Sequence, residues 1–344
     1  MLTARENMKE TLAGGNPDRF VNQYEALSLQ INPTFMTSPF PEPGAPSAPN
    51  GWGVYYSWPE GSPGGMPDHA PDKIVIKDIE NWKDYVKGPS LDFPQELWDT
   101  CKGMMDSVDR SKAYAGAFIA PGLFEQCHHL SEIKNALMYF ITNSKEMHEL
   151  IKYFKEWELE LAEGICTNLK PDALFHHDDW GSEINSFMRP EQFAEFFVEP
   201  YKELYGYYKS HGCEIVVHHC DSYAANLVPY MIEMGIDVWQ GAMEKNDVPA
   251  LIKQFGGQIS FMGGINNASV EFDGWTEEHV RGYVRKTLEM YDPNYFIPCI
   301  TQGGPGSCYP GVYEVMTDEI DKINIERFGI TDPDAMRMPP TTMF

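Results

Sequence analysis

The chain has 344 residues, 42% of them hydrophobic, with 26 Lys plus Arg against 51 Asp plus Glu and a formal charge of -25. That field repels nucleic acid and anionic membranes, and no basic stripe offsets it. The length is large for one ordinary core and normal for a (β/α)8 barrel carrying an N-terminal extension. Seven scattered cysteines with no CxxC pair indicate free thiols in a reducing compartment rather than a disulfide framework. No run approaches the eighteen or so apolar residues a membrane span needs, and the N-terminus lacks a signal-peptide core, so the expectation is a cytoplasmic protein.

Thr3 and Glu6 form a capping-box pattern for a first helix that Gly14-Gly15 stops. From about Asn16 to Pro71 the chain is rich in proline, glycine and aromatics, including Gly51-Trp52-Gly53-Val54-Tyr55-Tyr56-Ser57-Trp58. Residues 1–72 therefore read as a loop-rich extension packed on a barrel of residues 73–335, with 336–344 as a tail. The extension's aromatics fit either a substrate lid or an apolar plug over one barrel end. Lys73–Lys77 reads as a short strand, and the regions of Trp82 and Trp98 as helical.

A regular rhythm follows. Strand-like runs at 113–120, 173–179, 214–220, 236–240, 259–265 and 295–300 alternate with helical stretches at 131–142, 144–167, 190–211, 223–234, 248–255, 276–291 and 312–327. Such alternation specifies parallel βαβ units, and no repeat or linker divides them. Asp178, Asp179, His218, Cys220, Gln240, Asn266 and Cys299 all fall at or just past strand C-termini, the end that carries the active site in barrel enzymes.

Two of these runs end in soft metal ligands: Ile215-Val216-Val217-His218-His219-Cys220 and Phe296-Ile297-Pro298-Cys299. With a two-residue period His218 and Cys220 share one face of their strand and His219 takes the other. With Cys299 on another strand of the same sheet, these three would meet at one zinc ion and leave a fourth position open. The alternative is a buried His beside buried thiols. Asp178, Asp179 and Glu183 could orient a ligand, move a proton or complete the zinc shell, or they could be an acidic cluster at a helix N-terminus. His176, His177 and His219 read as satisfied core or surface histidines. Asn266 and Gln302 are candidates to contact substrate or cofactor.

The His218-x-Cys220 pattern with Cys299 resembles the zinc- and corrinoid-dependent methyltransferases of the uroporphyrinogen-decarboxylase superfamily. The stretches Thr3-Ala4-Arg5-Glu6-Asn7-Met8, Gly122-Leu123-Phe124-Glu125, Asp178-Asp179-Trp180-Gly181, Pro200-Tyr201-Lys202-Glu203-Leu204 and Met262-Gly263-Gly264-Ile265-Asn266 extend the resemblance over essentially the whole chain. It implies methyl transfer between a small methyl donor or acceptor and the cobalt of a corrinoid (cobalamin), with Zn2+ on His218, Cys220 and Cys299. Asn266 and Gln302 would then border the substrate or corrinoid. No Asp-x-His-x-x-Gly motif of corrinoid-carrying modules occurs, so a separate corrinoid protein would be the partner.

Two departures shape the expected substrate. The Arg-Gln-Ala-Gly-Arg segment of porphyrinogen decarboxylases is missing, and Arg5 and Arg19 are the only arginines before Arg110. The stretch Thr301-Gln302-Gly303-Gly304-Pro305-Gly306-Ser307-Cys308 is not the usual family sequence. The missing segment argues against a polycarboxylate substrate, and the loop after Cys299 together with the aromatic extension favours a methoxylated aromatic donor. Transfer from a methylcorrinoid to a thiol of the coenzyme M type is the alternative. A porphyrinogen decarboxylase and a non-catalytic barrel that binds a corrinoid protein are the readings from other classes. The oligomeric state stays open, a homodimer included.

Overall fold

A computed structural model describes residues 1–38, 41–60 and 64–338. Six of its strands coincide with the six apolar runs, within two residues at each end: β2 (Tyr114–Ile119), β3 (Ala173–His177), β4 (Ile215–His219), β5 (Val238–Ala242), β6 (Ser260–Ile265) and β7 (Phe296–Ile300). A seventh, β1 (Leu27–Gln30), pairs with β2, and all seven run parallel in sequence order. Apart from half-buried His177, every residue of the seven is buried, as expected where helices cover one face and the curled sheet fills its own interior. The architecture is α/β and TIM-barrel-like.

The expected eighth strand is not among the described residues. Between β1 and β7 the chain itself bridges: the Gln23 amide donates to Pro298 O at 3.0 Å, and Gln23 Oε1 accepts from Ile300 N at 3.4 Å. Lys73–Lys77 is turn and irregular chain instead of a strand. The first strand lies earlier, inside the segment read as loop-rich. Leu27-Ser28-Leu29-Gln30 is four residues long and buried throughout, so it shows neither the length nor the alternation that marks a strand.

The N-terminal cap is as the sequence indicates. Thr3 Oγ1 accepts from Glu6 N, Glu6 Oε2 accepts from Thr3 N at 2.9 Å, and helix α1 (Ala4–Ala13) ends at Gly14 with φ 61°. A Cβ on Gly14 would also strike the Tyr295 ring. Helix α2 (Leu123–Ser131) follows β2 directly, before the expected helix at Ile133–Thr142 and the long α3 (Ser144–Asn168). The sequence reading had no helix there. Helix α4 (Glu199–Ser210) packs on α3 behind β3 and β4.

The extension contributes a small antiparallel sheet of Ala48–Pro49, Tyr55–Ser57 and Met66–Pro67. Its Trp52 packs edge-on against Phe154 and Trp157 of α3. At the other end Arg337 pairs with Glu25 at 3.1 Å and Asp321 at 2.5 Å, and tail residues 339–344 lie outside the described residues. No described helix is long and apolar enough to cross a membrane.

Candidate active site at the open end of the barrel

Sheet register decides which side chains enter the barrel. Laterally paired residues of parallel strands share a face. His176 pairs with His218, and His177 with His219 and then Gln240. His176 reaches Glu158 of α3 at 2.7 Å, and His218 reaches Tyr205 of α4 at 2.8 Å, so this row faces the helices. The other row, Phe175, His177, His219 and Gln240, faces the interior, where Phe175 meets Phe118 and Tyr24. Gln240 pairs with Met262 and Met262 with Ile297, which places Cys299, two residues on, inside as well.

This parity separates the three expected zinc ligands. His218 and Cys220 share a face, as a two-residue period requires, but it is the helix-facing one. Both His218 nitrogens are occupied, Nδ1 by Tyr205 Oη and Nε2 by Asp178 O at 3.2 Å, and its ring stacks on Trp180 at 4.0 Å. The Cys220 thiol lies 2.8 Å from Ser222 Oγ and accepts from Trp180 N at 3.4 Å. Cys299 sits on the opposite face, beside Gln240 and Tyr24. Burial pushes both thiols well above their usual range. The family's His-x-Cys…Cys zinc set therefore does not fit this chain.

The interior row offers another donor set. One ligand atom each from His177, Asp179 and His219 lies within 4.8 Å of the others. The two rings stack at 4.3 Å. His219 Nδ1 bonds Gln240 Oε1, and the Gln240 amide donates onward to Ile300 O at 3.2 Å and Thr301 O at 3.4 Å. An amide held this way presents its oxygen, so His219 carries its proton on Nδ1 and keeps a lone pair on Nε2. Burial and neighbouring His177 push His219 down to about 4, which keeps it neutral and able to ligate. His177 Nδ1 bonds Glu125 Oε2 at 2.8 Å. Burial opposes charge on His177, but Glu125 outweighs it and raises the ring to about 10.

Carboxylates outnumber the rings. Asp179 Oδ1 accepts from Asp221 N at 2.8 Å, and burial together with the Asp179 charge pushes Asp221 well up. Three carboxyls (Glu125, Asp179 and Asp221) at the mouth of a protein with charge -25 call for a proton or a cation. Two imidazoles and a carboxylate form a donor set that catalytic zinc uses, and a cation there would displace the proton that Glu125 otherwise holds on His177, so the residues fit a divalent cation.

The remaining expected residues are dispersed. Asp178 points outward and caps α2, accepting from Phe124 N at 3.0 Å, Glu125 N at 2.7 Å, Trp180 Nε1 at 2.7 Å and Tyr201 Oη. Of its two readings, the helix N-terminal carboxylate is the one its contacts match. Glu183 is exposed and paired with Lys245 at 2.6 Å, away from the cluster. Asn266 caps the short helix Asn267–Val270 through Ala268 N, and exposed Gln302 is held there by its backbone amide on Asn267 Oδ1 at 2.7 Å. His176 is a core histidine bonded to Glu158, with its Nδ1 buried and unpartnered; His177 and His219 are hydrogen-bonded to Glu125 and Gln240 and face the barrel interior. Glu125 was reachable in the sequence only by recognising α2, where Glu125, His128 and His129 have i, i+3, i+4 spacing.

Beside α2 lies a cavity of about 150 Å³ lined by Phe35, Trp52, Tyr56, Phe93, Phe154 and Trp157. Gln126 also lines it, and its buried amide nitrogen has no hydrogen-bond partner. A dry cavity of roughly this volume accepts one benzene-sized ring.

Gly241 fixes the end of β4. Its φ of 93° belongs to the left-handed region, and a Cβ there would lie 2.8 Å from the Cys220 carbonyl carbon and 2.9 Å from Asp221 N. The pairing of β5 with β6 shifts register at this point, a bulge that aims Gln240 at His219. Gly241→Ala is expected to cost about 2–4 kcal/mol from strain and the clash, read by urea denaturation. An unchanged midpoint would contradict this.

A sequence profile described as uroporphyrinogen decarboxylase (URO-D) matches residues 49–320. A search of curated protein sequences finds no match. Among solved structures, a methyltransferase from Methanosarcina mazei superposes with a TM-score of 0.62 at 13% identity, over 94% of this chain and 99% of that one. The likeness at that identity is one of fold, whereas the profile spans most of the chain. This chain belongs to the uroporphyrinogen decarboxylase family.

Proposed function

We propose that the chain is a methyltransferase that moves a methyl group from a methoxylated aromatic to the cobalt of a corrinoid carried by a separate protein. The observation that carries the reading is the convergence of His177, Asp179 and His219 at the open end of the barrel, where they would hold a zinc ion. When bound, that ion supplies Lewis acidity towards the substrate's ether oxygen. Gln240 holds the His219 tautomer and Glu125 holds the His177 ring. In turnover the carbon–oxygen bond would break as the methyl group passes to the partner's cobalt, and Asp221, held beside Asp179, would be placed to give the departing phenolate a proton. A cavity with the volume of one aromatic ring lies beside α2, although none of the cluster residues lines it. The superposition on a methyltransferase is compatible with the chemistry.

Charge argues against porphyrinogen decarboxylation. Arg5 is committed to Asp172 and Glu214 at the N-terminal end of the strands, and Arg19 is buried against Asp18 and Glu25. Neither is available to hold a polycarboxylate at the mouth.

The test uses zinc-loaded protein, a methoxybenzoate and free cob(I)alamin, with methylcobalamin formation followed by absorbance. Enzyme-dependent methylation is expected, falling more than about 100-fold in His219→Ala. Failure with every methoxyarene, alongside transfer from methylcobalamin to a thiol, would replace the donor reading by the thiol one. Porphyrinogen decarboxylation by metal-free protein would overturn both.

A further inference from the structure

We propose that Glu125, His128 and His129 form a second divalent-cation site, joined to the first through the Glu125 carboxylate. The three residues occupy one face of α2 through their i, i+3, i+4 spacing. One ligand atom from each lies within 4.8 Å of the others. Two helical histidines one residue apart would ordinarily diverge. Here their rings stand edge to face at 4.6 Å, and His129 and Glu125 are both buried.

The surroundings orient these donors as outer partners orient metal ligands. Tyr56 Oη lies 2.9 Å from His129 Nδ1, so the ring is fixed by a partner on the extension, and in the tautomer whose Nδ1–H donates to that oxygen Nε2 keeps its lone pair for a metal. Glu125 is held from its backbone by Asp178 Oδ1 at 2.7 Å. Its side chain reaches His177 of the first cluster through Oε2 at 2.8 Å. A carboxylate has two oxygens and about four lone-pair sites, so it can serve both clusters at once. A Glu-x-x-His pair on one helix with a shared carboxylate is a donor arrangement that two-metal centres use.

The donors are two imidazoles and one carboxylate, with no thiolate. The site would therefore take a borderline or hard divalent ion such as Zn2+, Mn2+ or Co2+ in preference to a thiophilic ion. It shares Glu125 with the site proposed above but rests on His128 and His129, which that reading does not use. A second cation here would offset the charge of the Glu125, Asp179 and Asp221 carboxyls at the mouth.

The experiment is a titration of chelator-stripped protein with Co2+, read by visible absorbance, with elemental analysis after reloading with Zn2+. Wild type is expected to saturate at two equivalents per chain. His128→Gln/His129→Gln should saturate at one and keep the spectrum of the His177–Asp179–His219 ion. His177→Gln/His219→Gln should also saturate at one, with the complementary spectrum. Saturation of wild type at one equivalent overturns the proposal without any variant. So do two equivalents retained by the folded His128→Gln/His129→Gln protein, with folding checked by circular dichroism. Loss of the first ion alone from His177→Gln/His219→Gln would leave the second site standing even if methyl transfer were never found.

Discussion

His177→Ala, Asp179→Ala and His219→Ala proteins are each expected to lose one bound divalent cation per chain, while Cys220→Ala and Cys299→Ala keep the wild-type content. Deleting even an outer partner of a metal ligand costs about 10–100-fold in affinity, so removing a ligand should exceed that and empty the site during dialysis. The cysteine variants lose buried volume and weak sulfur hydrogen bonds, which together cost about 1–2 kcal/mol of stability, but no metal donor. The physical ground is the facing of the strands. Cys220 lies on the helix side against Ser222 and the Trp180 amide, and Cys299 lies on the barrel side with Gln240 and Tyr24. No single ion can reach both together with His218, whose two nitrogens are taken. Elemental analysis after dialysis checks the whole set. Retention of metal in the three His and Asp variants with loss in both Cys variants would restore the thiolate site and refute the present one.

Much of the barrel was legible because each buried strand is a compact apolar run bounded by turn residues, and each helix carries its own period. The active end was legible for the same reason, since polar residues cluster where those runs stop. The proposed ligand set was not. In His218-His219-Cys220-Asp221 both parities carry donors, so alternation tells which residues share a face and says nothing of which face looks inward. Only the neighbours decide that: Glu158 and Tyr205 behind His176 and His218, Phe175 and Gln240 beside His177 and His219. A pair reading of His177-x-Asp179 with His219-x-Asp221 was available in the sequence at the same two-residue spacing. Helix α2 was hidden for another reason. It begins directly after Pro121-Gly122 and is separated from the next helix only by Glu132, at a positive φ of 73°, so the two merge into one helical stretch whose start is easily placed too late.

Asp178→Ala is expected to destabilise the protein by about 4 kcal/mol, and Asp178→Asn by only about 1 kcal/mol. The side chain is fully buried and accepts from four donors: the amides of Phe124 and Glu125, the Trp180 indole and the Tyr201 hydroxyl. Deleting the acceptor strands them in a dry site, where each unsatisfied donor costs about 1–3 kcal/mol and the sum is less than additive. Burial and the neighbouring Glu125 raise Asp178 to about 7, against the pull of those donors. The site therefore tolerates a neutral side chain. Asparagine with its oxygen at the Oδ2 position keeps three acceptances and loses the one from Glu125 N. That lost bond is the functional point, because it ties the start of α2 to β3 and sets where the Glu125 carboxylate meets His177. Asp178→Asn should thus fold with nearly native stability yet bind metal more weakly, a combination that separates positioning from mere scaffolding. Urea denaturation and Co2+ titration of the same preparations measure the two effects. Equal losses of stability in Asp178→Ala and Asp178→Asn would show that charge, rather than acceptance by oxygen, holds the helix start.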